Sequence, residues 1–289
     1  MLVFCLGTAA ELIKCYPVIE RATRRAVPWV VLSTGQSPNL LAMQFRDFGL
    51  TGQGSYYAAL ATTRDLDRPL QALIWFAKLL GVTRRSLISD AMLPAACLAQ
   101  DAVWVVHGDT LSTLGGAILG RRLGVRVAHV EAGMRSGNWR APFPEEVTRR
   151  WVSRLASIHY APNPDARRAL ENERVSGAIV ETCGNTQLDA VIAVRDRPDS
   201  PRPADTPSGG PPTMESFAIA NLHRFENLNS EKHWRTIVEA TIRLARHCPI
   251  YFVMHPQTRA KIESAPDVRR RLEEAGVRLL DRLPFVAFL

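Results

Sequence analysis

The sequence predicts an α/β protein made of two Rossmann-like, doubly wound parallel sheets in series, the second of them incomplete. Three observations carry this prediction. Short β-branched runs alternate with helical stretches along the 289 residues. The runs are almost continuously apolar, as strands covered on both faces are. One proline-rich break divides the strands into two groups.

Taken in order, the strands of the first group are Met1 to Leu6, Trp29 to Ser33, Val103 to His107, Val125 to Val130, Ser157 to Ala161 and Ala178 to Thr182. Those of the second group are Phe217 to Leu222, Ile250 to Met254 and Val277 to Leu280. Between them, Leu41, Phe45 and Phe48 share one helical face that ends at Gly49, and Val147, Trp151 and Leu155 recur every four residues. The break at 195–213 holds Pro198, Pro201, Pro203, Pro207, Pro211 and Pro212 with Gly209-Gly210 and has little to bury, which is linker composition. The second group has too few strands for a doubly wound sheet of about five or more. Its end at Leu289 is apolar where natural termini are usually polar, so further C-terminal sequence is expected.

Composition excludes several classes of function. At 46% hydrophobic and 22% charged residues, the chain is an ordinary globular one. No stretch approaches the roughly 18 apolar residues of a spanning helix, and Met1 to Leu6 runs into Glu11 and Lys14 without a basic leader, so a cytoplasmic protein with no membrane partner is expected. Cys5, Cys15, Cys97, Cys183 and Cys248 are odd in number and form no CxxC pair; they read as reduced core thiols. The net charge is +8, yet the arginines are dispersed in short clusters such as Arg149-Arg150. That pattern fits solvated helix faces and a small anionic ligand, not a nucleic acid. A homodimer is compatible with the sequence.

In open parallel sheets ligands bind beyond the carboxyl ends of the strands, so the residues there are the candidates. Gly7 and Thr8 open a helix and offer backbone N–H groups to a phosphate, with Lys14 a stretch further on. Asp109 after the third strand is either a reactive carboxylate or a helix cap. Glu131 directly follows Val-Ala-His-Val and would be half-buried, which calls for a cation or ligand; Arg135 is the candidate cation. Glu145-Glu146 sits where a helix starts and acidic residues suit its dipole. His107 and His129 read as core residues. His129-x-Glu131 lacks the P-C-x-x-C half of a zinc deaminase signature, so no metal is expected. His223 and His255 end strands of the second group and are placed to meet a ligand from across a cleft.

Together, Val106-His-Gly-Asp-Thr110, His129-Val-Glu-Ala-Gly133, Arg135-Ser-Gly137, Pro142-Phe-Pro-Glu-Glu146, Gly184-Asn-Thr186, Leu222-His-Arg-Phe-Glu-Asn227 and His255-Pro256 resemble the non-hydrolysing UDP-N-acetylglucosamine 2-epimerases. The resemblance implies a GT-B-like fold with domains 1–184 and 185–289 and a site between them. It implies interconversion of UDP-GlcNAc and UDP-ManNAc without NAD, another cofactor or a metal. By that likeness Asp109, Glu131, Glu145 and His223 are the catalytic group. Gly7, Thr8, Lys14, Gln36, Arg135 and His255 are the residues that bind the nucleotide sugar. The chain departs from the family pattern at Ala9, where a cation usually stands, at Ser37, where a histidine does, and in lacking the C-terminal Asp-Ser-Gly-Gly and Glu-Glu region. A GT-B glycosyltransferase and a non-catalytic nucleotide-sugar binder are the alternative readings.

Overall fold

The computed structural model describes residues 1–66, 69–138, 142–196, 216–222, 228, 230–281 and 283–289. The chain divides into two compact units, residues 1–197 and 198–289. The first carries a seven-stranded sheet of β1 (Leu2–Leu6), β2 (Trp29–Ser33), β3 (Ser55–Ala58), β4 (Val103–His107), β5 (Arg126–Val130), β6 (Ile158–Ala161) and β7 (Ala178–Glu181). Their order across the sheet is β3-β2-β1-β4-β5-β6-β7, every pair parallel. The direction of winding reverses between β1 and β4, which makes that point the crevice where such sheets bind ligands.

The strands form where the sequence is apolar enough to be covered on both faces. Every position of β2 is buried, as are Val3 to Leu6 of β1 and Trp104 to His107 of β4. The fully buried Trp104 centres the main core and finds a polar partner for its indole N–H in the Cys97 carbonyl at 2.8 Å. The helices are α1 (Ala9–Arg24), α2 (Pro38–Asp47), α3 (Pro69–Leu80), α4 (Arg84–Ser89), α5 (Leu111–Leu123), α6 (Glu145–Leu155), α7 (Pro164–Asn172) and α8 (Thr186–Arg195). On α2, Leu41 and Phe45 are buried and Phe48 closes the helix, as their spacing predicts.

Four features differ from the sequence-based expectation. Strand β3 is not predicted, because Ser-Tyr-Tyr-Ala has no β-branched residue and sits at the sheet edge, held by β2 alone. On α6 the buried residues are Glu146, Thr148, Val152 and Ser153, while Trp151 is 53% exposed, so the apolar four-residue stripe is not the inward face. Cys5, Cys15 and Cys97 are buried thiols, but Cys183 is exposed and Cys248 half-buried. Helix α8 packs on α1, which brings residues 185–195 into the first unit and sets the division at 197/198 in place of 184/185.

The second unit has a three-stranded parallel sheet of β8 (Ala218–Leu222), β9 (Ile250–Met254) and β10 (Val277–Asp281), in the order β10-β9-β8. Around it lie α9 (Glu231–Ala245), α10 (Pro256–Glu263), α11 (Pro266–Glu274) and the single turn α12 (Phe285–Phe288). Phe252, Trp234 and Leu272 anchor its own core. Among the described residues no helix is long and apolar enough to cross a membrane.

Candidate active site

At the β1/β4 crevice the strand ends and the first turns of α1 and α5 enclose a cleft of about 170 Å³, lined by Thr8, Lys14, His107, Asp109, Glu131 and Arg149 among others. Asp109 and Glu131 thus face one small space together with two cations, all within the first unit. Backbone geometry puts them there. Gly108 has φ +71° and Glu131 φ +64°, both left-handed, at the sharp turns that end β4 and β5. For Glu131 this conformation carries a cost of order 1 kcal/mol that the surrounding structure must offset, a pattern that clusters at functional sites. The turn is fixed from behind by Gly133, whose Cβ, if present, would lie 2.2 Å from the Ala166 carbonyl of α7.

Glu131 is the hub of the cleft. One carboxylate oxygen, Oε2, accepts from Lys14 Nζ at 2.9 Å, and the other, Oε1, from the side-chain amide of Asn185 at 2.8 Å. His107 directs Nε2 at Oε2 from 3.4 Å, too poorly aligned for a hydrogen bond. His107 itself is 3% exposed, and burial, aided by the positive charge of Lys14, pushes its pKa down to about 3. It is therefore a neutral imidazole at pH 7. The cation Glu131 requires is Lys14 and not Arg135, because residues 131–133 turn and 134–138 run on without helix, so i and i+4 are not brought together.

Asp109 pairs with the Arg149 guanidinium, which also reaches Glu146 at 3.4 Å. The helix cap at this point is Thr110, whose hydroxyl accepts from the Thr113 N–H, so Asp109 is left free of the capping role. Behind Arg149 a chain of alternating charge runs through the protein. The fully buried Glu146 accepts from Arg150 at 3.2 Å and from the Ser136 N–H at 3.1 Å. Arg150 continues to Glu173 at 2.9 Å, and Glu173 meets the two-pronged fork of Arg135 at 2.8 Å on both oxygens. The Arg135 hydrogen bonds hold the Glu173 carboxyl below its ordinary range. Arg135, expected to hold a ligand, is thus committed to Glu173, Ser153 and the Met134 carbonyl.

The N-terminus of α1 is also occupied from within. Gly7 and Thr8 donate their N–H groups to Glu11 Oε2 at 2.6 and 3.1 Å, while Oε1 accepts from the hydroxyls of Thr110 and Thr113. The anion in this helix mouth is the protein's own carboxylate, in a capping box that the sequence expectation of a phosphate did not consider. Burial raises the Glu11 pKa against the four hydrogen bonds that lower it. Gly7 must be glycine, since a Cβ there would fall 2.1 Å from Ser112 Oγ. Ala9, where the family pattern has a cation, is buried on α1, and Ala10 is the residue that lines the cleft.

The remaining candidates lie elsewhere. Gln36 is half-buried, with Oε1 unpartnered among the described residues, and Glu145 likewise keeps Oε2 buried and unpartnered on the first turn of α6; neither lines the cleft. His255 is the residue that caps α10 at the end of β9, in the second unit. His223 lies outside the described residues. Arg149 is the site residue sequence reasoning passed over; its signal was the spacing Glu146-x-x-Arg149-Arg150 on one helix, which joins charges three and four apart. Among the described residues no group of three or more His, Cys, Asp or Glu is arranged to hold a metal ion.

Residues 87–289 match the family model described as UDP-N-acetylglucosamine 2-epimerase. The chain belongs to this 2-epimerase family. A Methanocaldococcus jannaschii protein named UDP-N-acetylglucosamine 2-epimerase is 24% identical over 98% of the chain and 74% of its own length. A Yersinia pestis protein of the same name is 31% identical over 86% of the chain and 63% of its own length. The chain spans about half the length of a matched Ralstonia solanacearum relative. Among solved structures, the M. jannaschii 2-epimerase in complex with UDP-GlcNAc and UDP superposes with a TM-score of 0.71 at 24% identity, over 99% of this chain and 75% of that one. The α/β fold is that of the 2-epimerases, the GT-B class that the motifs imply.

Proposed function

We propose that the protein interconverts UDP-GlcNAc and UDP-ManNAc by eliminating UDP and adding it back. The observation that carries this reading is the cleft at the β1/β4 crevice, where Asp109 and Glu131 each face the same space with a cation at their side. Membership of the 2-epimerase family supplies the substrate class.

The sugar's C2–H is not acidic in the ground state. A carboxylate can take that proton only as the C1–O bond to UDP breaks and positive charge develops at the ring. The C2–H electron pair then forms the C1=C2 bond of a 2-acetamidoglucal, and the C1–O pair leaves with UDP. Reprotonation of C2 from the opposite face and attack of UDP on C1 complete the epimerisation, so two proton-transfer groups are needed. Asp109 and Glu131 are assigned that work, with Glu145 and His223 as further members of the catalytic group. Lys14 and Arg149 favour the negative charge that grows on the departing diphosphate. Gly7, Thr8, Gln36, Arg135 and His255 are assigned to the nucleotide sugar by family likeness. For Gly7, Thr8 and Arg135 the assignment requires that Glu11 and Glu173 yield their present partners.

The test is incubation with UDP-GlcNAc in deuterated water. UDP-ManNAc with deuterium at C2 is the expected product. Tight UDP binding without any exchange at C2 would replace the epimerase with a nucleotide-sugar binder.

A further inference from the structure

We propose that Asn185 is a positioning residue for Glu131. Its side chain does two things at once. The carbonyl Oδ1 accepts from the Gln187 N–H at 2.8 Å and so caps α8, and the amide Nδ2 donates to Glu131 Oε1 at 2.8 Å. Lys14 holds the other oxygen, so the carboxylate is gripped from both sides and its plane is fixed above the cleft.

The residue type answers to these two duties. Aspartate caps a helix as well as asparagine does but has no proton to give; it would set a second negative charge against Glu131. Alanine neither caps nor donates. Asparagine caps with one atom and donates with the other. Because α8 is the last helix of the first unit, the setting of the carboxylate is tied to the element from which the chain passes to the second unit. This role rests on the reading that Glu131 carries a proton in the reaction.

The experiment tracks the Glu131 carboxyl carbon by NMR through a pH titration of the full chain, with E131Q to assign the signal. In N185D the midpoint should rise by about half a pH unit or more, from loss of the donor and gain of a like charge, while the melting temperature stays within about 2 °C because the cap survives. N185A should raise the midpoint less and melt lower, since it loses the cap and adds no charge. In the exchange assay N185D should lower kcat by roughly tenfold, leave KM within about twofold, and move the acidic limb of the pH profile upward with the NMR midpoint. An unmoved midpoint in both variants overturns the proposal. Absence of exchange in the wild type would instead overturn the epimerase reading, and the midpoints would still decide whether Asn185 positions Glu131.

Discussion

The cleft residues define how the candidate chemistry could fail. Asp109 has Arg149 as its ion-pair partner and no capping duty. Asp109→Asn keeps the shape and removes the charge. It should therefore cut C2 exchange by about 10² to 10⁴, the range that general acid–base groups supply, while thermal unfolding moves by only a few degrees because the pair is partly exposed. Equal losses of activity and stability would return Asp109 to a structural role. Lys14, Asp109 and Glu131 were legible in the sequence because a parallel sheet brings the residues after its strands to one edge. Arg135 was misread for a physical reason: proximity at i+4 holds on a helix, and the chain after β5 turns under left-handed residues at 131 and 133. The role of Glu11 was hidden because a Gly-Thr turn opening a helix offers its N–H groups to any anion, and an internal carboxylate satisfies them as a phosphate would.

At the scale of an element, α6 shows where apolar periodicity misleads. Its inward face is polar because Glu146 and Ser153 meet arginines from the charge chain, and that chain aligns the helix beside the cleft. Glu146→Ala would take one acceptor each from Arg149 and Arg150, which keep Asp109 and Glu173, and would strip the Ser136 N–H of its carboxylate. It should cost about 2–3 kcal/mol, less than the roughly 3–5 kcal/mol of a fully buried pair, because both arginines are partly exposed and keep a second carboxylate. Trp151→Gln, on the stripe that looks like the core in the sequence, should cost under about 1 kcal/mol, since the ring is 53% exposed. Urea unfolding of both variants checks the rotation of the helix, and the reverse ranking would refute it. The strands β1, β2, β4, β5 and β9 were readable because burial on both faces demands continuous apolar runs, while β6, β7, β8 and β10, only partly buried, were readable from their short apolar and β-branched runs alone. Edge strand β3, half-exposed and short, is specified by pairing with β2 and carries little signal of its own.

Across the whole molecule, the buried histidines make stability depend on pH. His107 and His129 are both pushed from 6.5 down to about 3, chiefly by burial, and among the described residues His129 has the Gly108 carbonyl at 2.8 Å as partner for Nε2 and none for Nδ1. A histidine whose folded pKa is depressed takes up a proton more readily when unfolded. Its contribution is complete above about pH 6.5 and is lost as pH falls toward 3. Within that window each such group adds a slope of about 1.4 kcal/mol per pH unit. Glu173, held below its ordinary range by Arg135, acts in the same direction below pH 4.5. Glu11, raised by burial, acts oppositely: its contribution is present in acid and lost as pH rises above 4.5. Because these effects overlap, the informative comparison is His129→Gln against wild type in urea unfolding between pH 4 and 7. The variant retains an amide that can donate to Gly108 and cannot titrate. Its stability should therefore fall with acid less steeply, by about 1.4 kcal/mol per pH unit, and parallel slopes for the two proteins would mean that His129 is not held neutral by its burial between β4 and β6.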